Sequence, residues 1–406
     1  MLPKVNIQFD NGTIGAVSPS SDGVFGVLAT AIETEQFKLG EVYTVKSMKD
    51  VAELEIIDTV ENHRLYKFLS EFFKEGGSGN ELWIMGMSKG QTLLDWFTPD
   101  EATGKIPAQK LLDQSKGRVK GLFTCYNGVV PATPVPYDWS AELLAMQSFA
   151  TDYTASKYAP LFIITEWFDF NGDVIALPDL LTYPHNRVGV LIGDTEQRTI
   201  GTPSRGTAIG LLAGRLTKIQ VHQNPGKVKD GPVSATKMYI VDTPPELFDV
   251  EGLNNKGYIT FRTHVNKSGY YFTDDHLAVE LKDDYHFLTR RRVIDKMYRI
   301  AYSELLEELL DEIPVTDEGK ISPIYARTLE GKIEDAIAVA MTAKGELSFN
   351  PSNKDDKGVI VKVNTENDFL ATSTVELVMR GRPHGYARLI DVLLGYQTKN
   401  TTDVNI

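Results

Sequence analysis

The sequence contains almost no cysteine. Cys125 is the only one among the 406 residues, so no disulfide can form within them. This is typical of proteins that fold in a reducing compartment. Cys125 lies in an apolar run at residues 122–126 and lacks the basic or helix-terminal neighbours that lower the pKa of a reactive thiol. We therefore expect Cys125 to be a buried strand residue.

Long apolar runs and an excess of positive charge are also absent. No stretch approaches the roughly 18 apolar residues of a membrane-spanning helix, and residues 1–6 lack the apolar core of a secretory signal peptide. We therefore expect a soluble protein that is made in the cytoplasm and makes no membrane contact by itself. The formal net charge of -13 repels a phosphate backbone, so nucleic acid is not expected as a partner.

The composition is that of a globular protein with more than one domain. Hydrophobic residues make up 42% and charged residues 24% of the chain, which is ordinary for a soluble protein. A length of 406 residues exceeds what one hydrophobic core usually fills. We predict an N-terminal arm or strand at 1–20, an α/β domain of one or two subdomains at 21–275, a smaller α+β domain at 276–396 and a C-terminal arm at 397–406.

The α/β domain is predicted from strands that alternate with helices. Ser47 is a plausible N-cap of a first short helix, and Gly210 and Gly214 would allow a later helix to pack closely. The longer predicted elements are strands at residues 24–29, 42–45, 82–87, 119–126, 161–164, 188–193 and 236–241, helices at 59–75, 139–153 and 207–216, and a hairpin near 258–272. Such alternation is typical of a mainly parallel or mixed sheet that helices cover on both faces.

The C-terminal region carries different patterns. A helix is predicted at residues 327–344, with Gly345 at its end, followed by paired strands at 359–363 and 374–379. Both ends of the chain can form strands but have nothing local to pair with. These segments are Val5, Ile7 and Phe9 near the N-terminus and residues 393–406 at the other end.

The longest predicted helix, at residues 290–313, has an unusual order of charges. Its apolar positions recur at helical spacing from Val293 to Leu309. Basic residues fill its first half and acidic residues its second: Arg290, Arg291, Arg292, Lys296 and Arg299, then Glu304, Glu307 and Glu308. The helix macrodipole favours the opposite order. The sequence leaves two interpretations open, a solvated face or a helix that docks head to tail on copies of itself.

One group of side chains has the chemistry of a divalent cation site. Its members are carboxylates and imidazoles: Asp274, Asp275, His276, Asp283, Asp284 and His286. Neighbouring residues of an extended segment point to opposite faces, so Asp275 and His276 would need a special turn to bind one ion. The other interpretation is a polar loop in which an aspartate or Thr289 caps the next helix. No GxSxG elbow is present, and glycine-rich residues 76–79 follow a helix rather than precede one.

Several short motifs resemble those of the contractile tail sheath proteins of phages and related injection systems. Five features carry the resemblance: a glycine-containing strand, an aromatic helix end before Gly-Gly, a Leu-Asn-x-x-Gly-like turn, an arginine-rich helix start and final paired strands. They are VFGV at 24–27, FFKEGG at 72–77 with LWI at 82–84, GLNNKGY at 252–258, RRVIDK at 291–296, and residues 364–368 with 375–379. The similarity spans roughly residues 20–396.

The resemblance implies a structural protein with no cofactor, no metal and no catalytic residue. Its implied partners are other sheath subunits, an inner tail tube protein, the baseplate and the tail terminator, in a virion tail or injection particle assembled in bacterial cytoplasm. Arms that pair with neighbouring subunits would include Val5, Ile7, Phe9, Leu393, Leu394, Tyr396 and Val404. The alternatives are an α/β enzyme with a metal-dependent site near Asp274–His286 and a tube or baseplate component of the same machine.

Overall fold

The computed structural model describes residues 21–101, 103–130, 137–200, 205–353, 355–394 and 396. The predicted arms at 1–20 and 397–406 lie outside these residues, together with Val5, Ile7, Phe9 and Val404. The roles expected of both arms therefore stay predictions.

Strands and helices alternate along most of the described chain. The strands are β1 (Phe25–Thr30), β2 (Val42–Val45), β3 (Leu82–Met87), β4 (Gly121–Cys125), β5 (Phe162–Glu166), β6 (Pro184–His185), β7 (Val188–Leu191), β8 (Phe261–His264), β9 (Lys267–Phe272), β10 (Ala278–Val279), β11 (Val359–Val363) and β12 (Leu377–Gly381). The α-helices are α1 (Met48–Glu53), α2 (His63–Gly76), α3 (Pro107–Ser115), α4 (Ser140–Lys157), α5 (Ile209–Lys218), α6 (Val250–Asn255), α7 (Leu288–Leu306), α8 (Pro323–Ala340) and α9 (Phe369–Thr372). None of the helices in this described part is long and apolar enough to cross a membrane.

Six strands form one mixed sheet in the order β2-β3-β1-β4-β5-β7. Strands β3, β1, β4, β5 and β7 are parallel, and β2 joins β3 in the antiparallel direction. Nearly every residue of the parallel strands is buried, because helices cover both faces of the sheet. The predicted α/β class is confirmed.

Helices pack on both faces of the sheet. Helices α2 and α5 share one core with it, and α3 and α4 share a second core on the opposite face. The backbones of α2 and α5 approach closely: a Cβ atom at Gly210 would lie 2.4 Å from the Phe68 carbonyl oxygen, and one at Gly214 would lie 2.6 Å from that of Phe72. The packing role predicted for these glycines is confirmed.

A third core lies in the C-terminal region. Val293 and Met297 of α7, Ile333 and Ile337 of α8 and Val361 of β11 contribute to it. Buried and exposed residues alternate along β11, so one face of the β11–β12 pair packs on this core and the other points away. The region has the predicted α+β character, while the domain limits proposed from the sequence stay predictions.

One predicted strand, at residues 236–241, is wrong. Within this segment Tyr239 and Ile240 form only isolated bridges, to Asp194 and Thr243. Val241 has a φ angle of 61°, in the left-handed region that an extended strand does not adopt. The apolar pattern therefore reflects a loop that buries Met238 and Ile240.

Candidate subunit-contact regions

Helix α7 carries the charged residues predicted for assembly, and its first turn is capped from another segment. Phe287 at its N-cap position makes no side-chain hydrogen bond. Instead, the buried carboxylate of Asp275 accepts a hydrogen bond from the backbone N–H of Thr289, at 2.6 Å. Burial and the adjacent Asp274 carboxylate raise the pKa of Asp275 well above its usual value. This agrees with the interpretation of a polar loop that caps the helix.

Arg291 in the first half of α7 points into the molecule. Its guanidinium lies 3.2 Å from a carboxylate oxygen of Asp295 and 4.1 Å from the centre of the Tyr285 ring. Asp295 also lies 3.3 Å from the guanidinium of Arg187, which immediately precedes β7. A buried carboxylate therefore joins α7 to the large sheet.

Arg292 is bound by backbone carbonyl groups. It donates hydrogen bonds to the carbonyl oxygens of Leu216 in the last turn of α5, at 3.0 Å, and of Ile219 just after the helix, at 3.5 Å. The last carbonyl groups of a helix lack partners within it and carry partial negative charge. Burial lowers the pKa of Arg292 to about 10. Arg292 thus closes the end of α5 with a buried cation.

Lys296 and Arg299 reach residues far away in the sequence. The Lys296 ammonium lies 2.7 Å from carboxylate oxygens of both Asp22 and Glu346. Asp22 also lies 3.4 Å from the Arg299 guanidinium. A charge set against the helix dipole costs about 0.3–1 kcal/mol, whereas leaving a buried charge unpaired costs about 3–5 kcal/mol. Internal pairing therefore explains the unusual charge order.

The predicted head-to-tail docking of α7 depends on how accessible its basic residues are. Arg291, Arg292 and Lys296 are buried, and contact with a neighbouring subunit would require their pairs to open. Arg290 is only partly buried, with its guanidinium 5.5 Å from the centre of the Phe287 ring. The docking role of the basic half stays a prediction, and Arg290 and Arg299 are its partly exposed residues.

The acidic residues lie at the C-terminal end of α7 and just beyond it, and their side chains are partly or largely exposed. The Lys332 ammonium of α8 lies 2.8 Å from the carboxylates of both Glu307 and Glu308, and 3.9 Å from that of Glu304. The helix ends at Leu306, so its predicted extent to residue 313 is wrong. Leu310 beyond it is fully exposed and has no core to pack against, and acidic side chains oppose the negative end of the macrodipole.

The C-terminal segment has no regular secondary structure in the described residues 382–394 and 396. Leu393, Leu394 and Tyr396, which were predicted to pair with a neighbour, are 101%, 91% and 100% exposed. Water therefore surrounds three large apolar side chains that lie close together in the sequence. Their role in an arm stays a prediction.

In the described part of the chain, the β11–β12 pair offers one unpaired strand edge, that of β12. The outward backbone N–H groups of Val361 and Val363 in β11 donate hydrogen bonds to Glu334 and Glu330 of α8. Within the described residues, these antiparallel strands form a sheet of two. Ile360 and Val378, on the face away from the core, are 54% and 56% exposed. An unpaired edge with apolar side chains is a template for a strand from another chain.

The candidate metal ligands do not form a metal site. The Nδ1 atom of His286 donates a hydrogen bond to the Val279 carbonyl oxygen at 2.8 Å, so its Nε2 atom accepts the 2.7 Å hydrogen bond from His276 Nδ1. Burial lowers the pKa of both imidazoles, that of His276 to about 4. Among the described residues, no group of three His, Cys, Asp or Glu side chains is arranged to hold a metal ion. The metal-dependent alternative is therefore not favoured.

Two models of known protein families match the chain. A model described as DUF2586, N-terminal domain matches residues 2–276, and one described as DUF2586, C-terminal domain matches residues 284–401. The chain belongs to the DUF2586 family. No curated protein matches it.

Solved structures show which fold this DUF2586 chain adopts. A chain from the contracted helical sheath of the anti-feeding prophage has a TM-score of 0.62 and 16% identity, with 98% of this chain and 99% of that chain covered. A chain from the contracted PVC sheath complex of an extracellular contractile injection system has a TM-score of 0.61 and 12% identity, with 98% of each chain covered. At these identities the likeness establishes the fold. The resemblance to contractile sheath proteins is confirmed at that level.

A baseplate structure contains a similar chain. The sixfold-symmetrised baseplate of the anti-feeding prophage gives a TM-score of 0.61 and 15% identity, with 98% of the DUF2586 chain and 99% of that chain covered. The same fold is therefore present in structures of a sheath and of a baseplate.

Sequence analysis missed a buried ionic network in the DUF2586 N-terminal region. Arg64 of α2 pairs with Glu166 at the end of β5, and both side chains are buried. Lys67 lies 2.5 Å from carboxylate oxygens of Glu71 and Asp194. Arg64, Lys67 and Glu71 recur at helical spacing on one face of α2, which is the signal that could have revealed them.

His63 at the start of α2 is a second residue that was missed. Its Nδ1 atom lies 2.7 Å from Asp58 and its Nε2 atom 2.8 Å from Glu196. The hydrogen bond to Glu196 outweighs the effect of burial and, with that to Asp58, raises the pKa of His63 to about 9. A protonated imidazole therefore links two loops at neutral pH.

Proposed function

We propose that this chain is a structural subunit of a contractile sheath. Copies polymerise helically around an inner tube, and contraction of the polymer drives the tube through a target cell envelope. The observation that carries the proposal is the fold match over 98% of the chain to chains of two contracted sheaths. No catalytic step belongs to it.

Contraction in this proposal draws on energy stored during assembly. Subunits assemble as a metastable extended helix, and a signal from the baseplate lets them repack into a shorter and wider one with more complementary contacts. Strands exchanged between subunits keep them connected while their surfaces slide, because main-chain hydrogen bonds tolerate small rigid-body rotations.

The arms and the β11–β12 pair are the proposed connection between subunits. The exposed apolar side chains at 389–396 supply a segment that gains by burial. The outer edge of β12 supplies backbone donors and acceptors. We expect arm residues of one copy to extend this sheet in another copy.

The proposed partners are other copies of the chain, an inner tube protein, the baseplate and a tail terminator. Fold matches to chains of a helical sheath and of a baseplate support the first and third of these. The net charge of -13 argues against nucleic acid. The proposed location is the tail of a virion or injection particle, with assembly in the bacterial cytoplasm.

Negative-stain electron microscopy of the concentrated protein tests the proposal. Hollow, cross-striated cylinders are the expected result, and pelleting by centrifugation quantifies the polymer. Deletion of residues 1–12 or of 397–406 should leave a folded subunit that no longer polymerises. A matched control keeps the length of the tail but scrambles the order of residues 397–406.

Two outcomes would count against parts of the proposal. Cylinders of normal length from either truncation would refute the arms. A uniformly monomeric sample, with and without a crowding polymer, would contradict assembly by the subunit itself, and a stoichiometric metal in such a sample would reopen the enzyme alternative.

A further inference from the structure

The chain returns to the body of the molecule immediately before its apolar C-terminal segment begins. After β12, the side chains of His384, Tyr386 and Arg388 occupy alternate positions, which lie on one side of an extended segment. The Nε2 atom of His384 donates a hydrogen bond to the Gly345 carbonyl oxygen at 2.9 Å. The Tyr386 hydroxyl donates one to the His222 carbonyl oxygen. The hydrogen bonds of His384 and Tyr386 thus hold the segment against the body of the subunit up to Arg388, which makes the third contact.

Arg388 makes the strongest of these contacts. Its Nε atom lies 2.6 Å from Asp274 Oδ2 and its Nη2 atom 3.2 Å from Asp274 Oδ1, a bidentate pairing. The guanidinium also lies 3.4 Å from the centre of the Phe287 ring. Burial alone would raise the pKa of Asp274, but hydrogen bonds from Arg388 and Asp275 outweigh it and lower that pKa to about 2. The carboxylate therefore stays charged for its partner.

The acceptor of Arg388 is held in place by the body. The side-chain amide of Asn224 donates hydrogen bonds to both Asp274 and Asp275, each at 2.7 Å. Asp275 also caps the first turn of α7 through Thr289. The receiving carboxylate is thus held by Asn224 and by the backbone N–H of Asp275, the residue that caps α7.

The contact ends at Arg388. Its side chain is 33% exposed, and the next residues, Leu389 and Ile390, are 77% and 76% exposed. A partly exposed ion pair contributes less stability than a buried one, so this contact opens more readily than the pairs of α7. Residues 383–388, if released, span at most about 20 Å.

We propose that Arg388 is a releasable clasp that fixes the point at which the C-terminal arm leaves the subunit. Its role in assembly rests on the proposed sheath function. When the clasp is closed, only residues beyond Arg388 are free to reach a neighbour. When it opens together with the contacts of His384 and Tyr386, the tether lengthens by at most about 20 Å, which lowers the effective concentration of the arm at its acceptor.

A spin label at residue 387 tests the clasp in the unassembled subunit. Ala387 is exposed, so Ala387→Cys supplies a labelling site next to Arg388. Cys125 is buried, and burial raises the pKa of its thiol to about 12, so it should not react. In the parent the nitroxide should tumble with the whole subunit, whereas Arg388→Gln should give it sub-nanosecond motion.

Two further variants make the result specific. Arg382→Gln removes a partly exposed ion pair with Asp356 in the C-terminal region and should leave the label immobile. Arg388→Lys keeps the charge but loses the bidentate geometry, so the label should have intermediate mobility. This variant also provides the test if Arg388→Gln does not fold. A label that stays immobile in Arg388→Gln and in Arg388→Lys, or that Arg382→Gln mobilises equally, would overturn the clasp.

Assembly provides a separate readout. The protein concentration needed for polymer to form should rise severalfold in Arg388→Gln, as measured by pelleting. An unchanged concentration would refute the proposed effect on the tether, but it would not contradict the contact between Arg388 and Asp274 in the unassembled subunit. If the parent itself forms no polymer, the sheath proposal fails, and the label still reports on the clasp.

Discussion

The two halves of α7 use charge in opposite ways. In the first half, Arg291, Arg292 and Lys296 are buried. Arg291 pairs with Asp295 one turn along the helix, and Arg292 and Lys296 bind groups in other segments of the chain. At the other end, Glu304 is partly exposed and Glu307, just beyond the helix, is largely exposed, and both lie near Lys332 of α8. The order of charges along a helix therefore does not by itself identify a binding surface. Burial decides whether a charged side chain joins elements of one subunit or remains accessible to another subunit.

The largest effect is expected from Asp295 in the first half. Asp295→Ala leaves two guanidinium groups, those of Arg187 and Arg291, without their shared carboxylate. Breaking a buried ion pair costs about 3–5 kcal/mol, and urea unfolding should show that loss in the free energy of unfolding. A loss below about 1 kcal/mol, the range of exposed pairs, would abolish the contrast between the two halves.

A smaller effect, on pH dependence, is expected from His63. The pKa of His63 is raised from 6.5 to about 9, so its contribution to stability is complete below pH 6.5 and is lost as the pH rises through 9. The stability of the parent relative to His63→Gln should fall by roughly 1 kcal/mol over that range, after allowance for solvent screening.

The comparison with His63→Gln is needed because Lys120 titrates in the same range. Burial lowers the pKa of Lys120 to about 8, and the difference between the two proteins cancels its contribution. Thermal unfolding at several pH values provides the measurement. A difference that does not change with pH would show that the imidazole is not held by Asp58 and Glu196.

Charge reversal at Arg290 separates assembly from folding. Reversal at Arg291 or Arg292 should destabilise the subunit itself, because both are buried. Arg290→Glu should change the free energy of unfolding by less than about 1 kcal/mol and still weaken assembly if the basic half contacts a neighbour. The salt dependence of pelleting measures this, and a profile identical to that of the parent would remove the docking role.

The smallest effect is expected from Glu307. Its side chain is exposed, and Lys332 keeps Glu308 as a partner when Glu307→Ala removes one carboxylate. The free energy of unfolding should change by no more than about 0.5 kcal/mol, measured in urea beside Asp295→Ala. A loss as large as that of Asp295→Ala would show that the acidic half also holds the subunit together.

Local signals in the sequence predicted much of the fold. Ser47 is the N-cap of α1, and its hydroxyl accepts a hydrogen bond from the Asp50 backbone N–H at 3.4 Å. The buried strands and the close approach at Gly210 and Gly214 also follow from short patterns. Such features depend on residues that are neighbours in the sequence, so a single chain is enough to predict them.

The candidate contact regions were only partly predictable. Exposed apolar residues near the C-terminus stood out because nothing nearby in the sequence could cover them, and Leu393 and Tyr396 are indeed exposed. The contact between Arg388 and Asp274 gave no sequence signal. The two residues are far apart in the chain, and neither lies in a motif that points to the other.

The sequence by itself determined the α/β class, most of the buried strands, the glycine contacts and the existence of a long helix with basic residues before acidic ones. Only the tertiary structure decided which of those charges are buried, where α7 ends and how the C-terminal segment is held. Periodicity and capping act over a few residues, whereas the energy of a charge depends on groups brought to it by folding, such as Asp22 beside Lys296.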